Sequence, residues 1–345
     1  MYERFRFHRR GFTVIVDLVR DEMERKTKRS CTVPVELQVL VALKFLASGS
    51  FLITCGDTVH VHVSTASRIV RAFVLALLRH LHKYVRFPTG DEAGSVKETF
   101  LRKGGFPGIV GAVDGTHIRI QAPVQHEENY INRKGFHSLN VQVVVDANSY
   151  ITNVVAKWPG SVHDSRILRS SSIGERFESG HIRGMLLGDS GYPCRPWLMT
   201  PFLRPNGHAQ EMYNEAHKTL RSVVERAIGQ LKRRFACLHG ELRMAPERCC
   251  GIVVACCILH NLAKQLGIPD ARAEPELQDD SDEQEPQGAP HDGVHMAPFS
   301  FYEHLHCDCG FDVGLTAEGY LLVIGGHRGA RTAQMVLLTH LGECQ

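Results

Sequence analysis

The chain has 345 residues, 43% hydrophobic and 22% charged, with a formal net charge of +3. It can bury a full core, and its length suggests about two domains. No run of about 18 apolar residues is present and the N-terminus is charged at Arg4, Arg6, Arg9 and Arg10, which argues against a membrane span or signal peptide, so no membrane is expected as a partner.

The charge is uneven. Residues 1–110 hold 18 Lys/Arg against 10 Asp/Glu, a net of +8, whereas Asp270 to Pro286 carries eight acids and one Arg. A basic front half suggests contact with a polyanion, and a solvated surface would explain it equally well. The acidic stretch, rich in Pro and Gln, reads as a disordered linker. The eleven cysteines fall as Cys249-Cys250 and Cys256-Cys257 within apolar sequence, with the rest scattered. Mostly free thiols in a reducing compartment are expected. The nearest approach to metal-ligand spacing is "HLHCDCG", His304 to Gly310.

In chain order, residues 1 to about 90 read as helices. "PVELQVLVALKFLASGS" opens at Pro34 and stops at Gly49. "VHVSTASRIVRAFVLALLRHL" follows, with Ser64 or Thr65 as the expected cap and a stripe of Ile69, Phe73, Ala76 and Leu77. Arg68, Arg71 and Arg79 fall off that stripe. Two helices around a turn, the second opening with small polar residues and arginines, suit a helix-turn-helix DNA reader. A helical bundle with a basic surface has the same pattern.

From about residue 108 the apolar period becomes two. "GIVGAVDGTHIRI" reads as a strand buried on both faces. "LNVQVVV" and "YITNVVAKW", joined by "DANS", read as a hairpin. "HDSRILRSSSIGERF" has helical spacing, "GMLLGDSGY" is a short strand breaking at Gly188, and long helices follow at "EAHKTLRSVVERAIGQLKRRFACL" and "CCGIVVACCILHNLAKQL". This order predicts an α/β core whose sheet is part antiparallel and part parallel.

Four acids stand out. Asp114 lies within the central strand, where a lone charge is costly unless it is paired or holds a metal. Asp189 ends the next short strand between Gly188 and Gly191. Carboxylates at neighbouring strand ends suit a hard cation with oxygen ligands. Glu225, at the edge of the long helix's stripe, would supply a third oxygen. Asp164 precedes the hairpin's following helix. Each has a plainer role: a buried ion pair for Asp114, a turn for Asp189, a helix cap for Asp164, and an ion pair with Arg221, four residues before it, for Glu225.

The blocks "AVDGTHI", "NRKGFHSLNVQVVVDA", "WPGSVHDSRI", "LLGDSGYPCRPWLMTPF", "NEAHKTLRSVVERAIGQLKRRF" and "ILHN" together resemble the PIF/Harbinger transposase superfamily, and within it the Harbinger transposase-derived nucleases of animals. The resemblance is dense from about Gly108 to Gln265. It implies an RNase H-like mixed-sheet catalytic core, preceded by the helix-turn-helix-like region, that cuts DNA with divalent metal, Mg²⁺ or Mn²⁺. On the family pattern Asp114, Asp189 and Glu225 are the catalytic acids, and with Asp164 they hold metal. The implied reaction is phosphodiester hydrolysis by a two-metal mechanism. DNA backbone contacts are expected from Arg68 and Arg71 in the front helices, from Arg133 and Lys134 of "NRKG", and from Lys232, Arg233 and Arg234; a solvated basic face is the plainer reading. His117 and His163 are set aside as hydrogen-bonding histidines.

The expected organisation is a helical region at 1–90, a linker at 91–107, the nuclease core at 108–266, an acidic disordered linker at 267–300 and an unassigned segment at 301–345. The resemblance also implies a separate Myb/SANT-like partner, with which members of that family commonly work and which recognises DNA and assists nuclear entry. The cluster "ERKTKR" (Glu24 to Arg29) is a weak import signal by itself, consistent with a nuclear location and a cytoplasmic pool. Against the endonuclease stands a domesticated DNA-binding or scaffold protein that keeps the fold without turnover; four intact acids favour the enzyme.

Overall fold

The computed structural model describes residues 1–24, 32–270 and three strand segments at 311–315, 321–325 and 334–336. The basic run at 25–29, the acidic stretch from residue 271 and the His304–Cys309 cluster lie outside the described residues. The front of the chain is helical: α1 (Tyr2–Phe5), α2 (Arg9–Met23), α3 (Val35–Ser48), α4 (Leu52–Asp57), α5 (Val63–Leu78) and α6 (Leu81–Tyr84). Gly49, at φ +64°, ends α3 as a left-handed cap. The extra helix α4 is only six residues long, too short to show a period. His62 rather than Ser64 or Thr65 caps α5, its Nδ1 accepting the Ser64 N–H at 3.2 Å.

The stretch 91–107, expected as a linker, contains helix α7 (Gly90–Gly104). Asp91 and Glu92 in its first turn and Arg102 and Lys103 in its last oppose the helix dipole favourably. Gly105, at φ +76°, terminates it. Phe100 is its one buried side chain, so the sequence has no apolar stripe to betray it.

Five strands form the sheet: β1 (Ile109–Arg119), β2 (Ser138–Val145), β3 (Ile151–Pro159), β4 (Met185–Leu187) and β5 (Leu198–Met199), in the order β3-β2-β1-β4-β5. β1 and β3 run antiparallel to β2, while β4 pairs parallel with β1 and β5 parallel with β4. This is the mixed, RNase H-like sheet expected. The β2–β3 turn is built by Asp146, whose Oδ1 accepts the N–H groups of Asn148 at 2.8 Å and Tyr150 at 2.9 Å. Between β3 and β4 the single helix expected is broken into α8 (Asp164–Arg169) and α9 (Ser172–Glu178).

Cross-strand partners share a face of the sheet. Val113 and Val144 are partners, and on their face they pack with Leu168, Ile173, Phe177 and Leu186. The helices α10 (His208–Arg234) and α11 (Pro246–Gln265) pack against β1 and β3. By length and composition α11 could cross a membrane; here its apolar surface is buried against β3 and α5. Asn261 ties it down, its Oδ1 accepting the Ile151 N–H at 2.9 Å and its Nδ2 donating to the Ile151 and Tyr84 carbonyls, both at 2.7 Å. Through this helix the front helices and the sheet share one core. The described residues of 1–169 and 173–270 fall in one compact unit, which holds the front helices together with the sheet. Apart from it, β6 (Phe311–Leu315), β7 (Leu321–Gly325) and β8 (Gln334–Val336) pair antiparallel in that order.

Arg234 corrects another expectation. It is 0% exposed, and Nη2 donates to the Pro269 carbonyl at 3.0 Å and the Asp270 carboxylate at 3.2 Å. Nη1 reaches the Arg6 carbonyl at 3.4 Å, and Tyr2 Oη donates to Pro269 O at 2.7 Å. The third cation of "KRR" falls back onto the buried stripe, three residues after Leu231, where it clasps the two ends of the unit and presents no exposed surface. Arg234→Ala should lower stability by about 2–4 kcal/mol, because it leaves a cavity and unpaired carbonyls. Thermal unfolding measures this. At temperatures where the variant is folded, DNA retention in a gel shift should match wild type.

Candidate active site

The site begins where β1 outruns its parallel neighbour. The last β1–β4 pair is Ala112 with Leu187, and the next bridge on that edge joins Ile120 to Leu242. Between them, Val113 to Ile118 have no strand on that edge among the described residues, while β2 pairs the other edge throughout. Ligands in α/β sheets collect at such openings beyond parallel strand ends. Asp114 stands at its start, and Asp189 follows β4 by two residues. The Gly115 N–H donates to Asp114 Oδ1 at 2.9 Å, and the Gly191 N–H to Asp189 Oδ1 at 3.0 Å.

Helix α10 lies against β1 and presents Arg221, Glu225, Gly229 and Lys232 at helical spacing. The Arg221 guanidinium reaches Asp114 Oδ2 with Nη1 at 3.3 Å and pairs with Glu225 Oε1 through Nη2. The plainer reading of Glu225, an ion pair with Arg221, is therefore present, and it extends to Asp114. Among the described residues no group of three or more His, Cys, Asp or Glu is gathered closely enough to hold a metal, and between Asp114 and Glu225 the cation is Arg221. Lys232 Nζ donates to the free-edge carbonyl of His117 at 3.2 Å.

Asp164, at the start of α8, reaches the same strand from the other side. Its carboxylate fills the place of a side chain at Gly115: a Cβ there would lie 2.3 Å from Oδ1. Asn140 Nδ2 donates to Asp164 Oδ1 at 2.6 Å and to the Val162 carbonyl at 2.7 Å. Gly115 is thus the residue that lets two acids approach one point of β1, a role that the spacing "VDGT" does not reveal.

These charges act on one another. Burial is the largest cause lifting the Asp114 carboxyl from 3.8 to about 7; Arg221 and the Gly115 N–H oppose the rise, and the charges of Asp189 and Asp164 add to it. The His117 imidazole is lowered, first by burial and then by Lys232, Lys134 and Arg133, with Asp164 opposing. Three expected DNA contacts, Arg133, Lys134 and Lys232, therefore gather around His117 beside Asp164. Arg133 Nη2 lies 2.7 Å from Nδ1 and 2.9 Å from Nε2 of His163. Arg233 lies alongside Gly229 on α10. Arg68 is exposed and donates to Thr65 Oγ1 at 3.3 Å, and Arg71 neighbours Arg248 on α11. Sequence reasoning missed Asn140, which pairs with His117 across the strands, and the reach of Arg221 to Asp114. Strict alternation in "LNVQVVV" was the available signal for Asn140; nothing in sequence pairs Arg221 with a residue 107 positions away.

A mixed sheet in this order, with acids beyond β1's last parallel pair, after β4 and on the following helix, defines an RNase H-like protein of the DDE endonuclease class. Residues 113–261 match the family described as DDE superfamily endonuclease. The chain is 39% identical over 268 residues to "Putative nuclease HARBI1" of Homo sapiens, covering 76% of each chain. It is 37% identical over 264 residues to the protein of that name in Xenopus laevis, covering 75% of this chain and 76% of the relative. "Protein ALP1-like" of Arabidopsis thaliana is 30% identical over 282 residues, 75% of this chain and 69% of the relative. The chain belongs to the Harbinger transposase-derived nuclease family. No solved structure matches it.

The folded protein holds a proton on Asp114 more tightly than the unfolded chain does. The stability this gives is fully present below about 3.8 and is lost as pH rises through about 7. Asp114→Asn cannot ionise, so it should leave the melting temperature of the metal-free protein nearly unchanged at about pH 4 and raise it at about pH 8, by the equivalent of about 1–2 kcal/mol. Thermal unfolding across that range is the check. A lower melting temperature at the alkaline end would mean that the ion pair with Arg221 outweighs the cost of burial.

Proposed function

We propose that this chain is a divalent-metal-dependent DNA endonuclease that hydrolyses phosphodiester bonds at the opening beside β1. The observation that carries this is the buried Asp114 carboxyl, raised to about 7 within reach of the charges of Asp189 and Asp164. Burying that carboxyl, with two other carboxylates adding to the effect, costs the metal-free fold stability, and a bound cation offsets that cost. The donor set fits the group: all four acids offer oxygen, as Mg²⁺ and Mn²⁺ prefer, and no thiol competes among them. Asp114, Asp189 and Glu225 would hold the metal as catalytic acids, with Asp164 as a fourth ligand. When bound, divalent cations would activate the attacking water and stabilise the leaving oxygen as Lewis acids.

The chain's own residues do the rest. Arg221 serves as the counter-cation of the metal-free form and withdraws from Asp114 when metal enters. Asn140 orients Asp164, and Gly115 leaves it room. Arg133, Lys134, Lys232 and Arg233 hold the DNA backbone next to the acids, with Arg68 and Arg71 adding contacts from α5. No protein nucleophile is needed: water adds across the P–O bond, and the proposal assigns no covalent step to a side chain. A Myb/SANT-like protein as the DNA-recognising partner, a nuclear location and a cytoplasmic pool belong to the same proposal and rest on the family resemblance.

The test is cleavage of supercoiled DNA in Mg²⁺ or Mn²⁺, with EDTA as control. Wild type should nick the plasmid only with metal. Asp189→Ala should lose cleavage by at least about a hundredfold while retaining DNA in a gel shift, because affinity comes from cations and not from the acids. Equal cleavage by variant and wild type would remove Asp189 from the site. A wild-type protein that binds DNA and never cuts it would instead support a DNA-binding or scaffold role without turnover.

A further inference from the structure

The turn after β4 carries a side chain that the proposed reaction does not use. Tyr192 is 3% exposed and belongs to the buried cluster that holds Val113, Val144, Leu186 and Leu198. Gly188 makes room for it, since a Cβ there would stand 3.0 Å from the ring's Cδ2. The hydroxyl is buried and has no hydrogen-bond partner in the protein. Its surroundings are acidic: Asp164, Asp114 and Asp189 add to the effect of burial in raising the phenol well above its ordinary range.

The strand register shows what lies beside that hydroxyl. Along one face of the β1–β2 pair come Val113 with Val144, then Gly115 with Gln142, then His117 with Asn140. Tyr192 belongs to the buried cluster that contains the first pair. Asp164 lies over Gly115 in the second and hydrogen-bonds Asn140 in the third. Gln142 therefore stands on that same face, opposite the Gly115 over which Asp164 lies and next along from the pair in Tyr192's cluster. It is 0% exposed, and both of its amide atoms are buried without partners, as is Asn140 Oδ1. A buried polar atom left unmet costs about 1–3 kcal/mol, and native proteins rarely leave several together unless water or a ligand meets them.

We propose that Tyr192 is a positioning residue of the acid site: its hydroxyl and the Gln142 amide hold an ordered water against the Asp164 carboxylate and so fix that carboxylate for cation binding. The inference rests on the metal-dependent reading of the same acids. Partners that orient a metal-binding carboxylate are worth about ten- to a hundredfold in metal affinity.

The experiment is a Mn²⁺ titration by calorimetry on the full chain, with thermal unfolding of the metal-free protein alongside. Tyr192→Phe should weaken Mn²⁺ binding about tenfold or more without raising the melting temperature. Gln142→Leu should weaken it similarly, and the double variant should lose no more than either alone, because both act through one water. Should Tyr192→Phe fail to fold, Gln142→Leu and a high-resolution structure of the wild type decide the matter: a water within hydrogen-bond distance of both Tyr192 Oη and Gln142 upholds the proposal. Unchanged Mn²⁺ affinity with a raised melting temperature would overturn it, showing an orphan hydroxyl in a core. A wild type that binds no Mn²⁺ would overturn both this inference and the metal-dependent reading, whereas wild-type binding that the variants match would overturn this one alone.

Discussion

The ion pair between Asp114 and Arg221 joins the sheet to the helix that covers its opening. A carboxylate in the middle of the central strand has been taken out of most of its water, and the guanidinium from α10 offsets only part of that cost. The same guanidinium engages Glu225 one turn further along. One cation thereby bridges β1 and α10 and contacts two acids from distant parts of the chain. The acid that remains hard to ionise at neutral pH is the one with two other carboxylates for neighbours.

The remaining architecture keeps that arrangement in place. β2 pairs β1 from Ala112 to Arg119, whereas β4 pairs it only as far as Ala112 and its chain turns away at Gly188; the difference in length is what creates the opening. Asn261 fixes α11 to β3 and to the front helices, and Arg234 fastens the N-terminal turn to residues 268–270. The front helices thus brace the sheet, and any role they have in DNA contact is exercised within the same compact unit. Their basic charge was readable in the sequence; their share in the common core was not, because it depends on contacts between α5 and α11 some 180 residues apart, such as Arg248 with Ser67.

Local patterns carried the strands well. Alternation in "LNVQVVV" and the turn "DANS" give the hairpin, and the apolar run before Asp114 gives the central strand, since both depend on neighbours a few residues away. Where one side chain does the packing, as Phe100 does for α7, periodicity has nothing to report, and the helix read as a linker. The basic run "KRR" shows the opposite failure: three adjacent cations look alike in sequence, yet a helix turns one of them into the core. In the acid site the residue types were legible, and the resemblance to the Harbinger family put them in order. Their environment was not legible, because Gly115, Asn140 and Tyr192 matter through what the fold sets beside them.

Membership of the nuclease family and the acids at the opening of β1 support one account, in which a crowded carboxylate site neutralised by Arg221 exchanges that cation for divalent metal. Anomalous diffraction from crystals saturated with Mn²⁺ tests this most directly. The account predicts a peak bounded by Asp114, Asp189 and Glu225, with Arg221 withdrawn from Asp114. A map with no peak there, or with Arg221 still bridging Asp114 and Glu225 at saturating Mn²⁺, would contradict it.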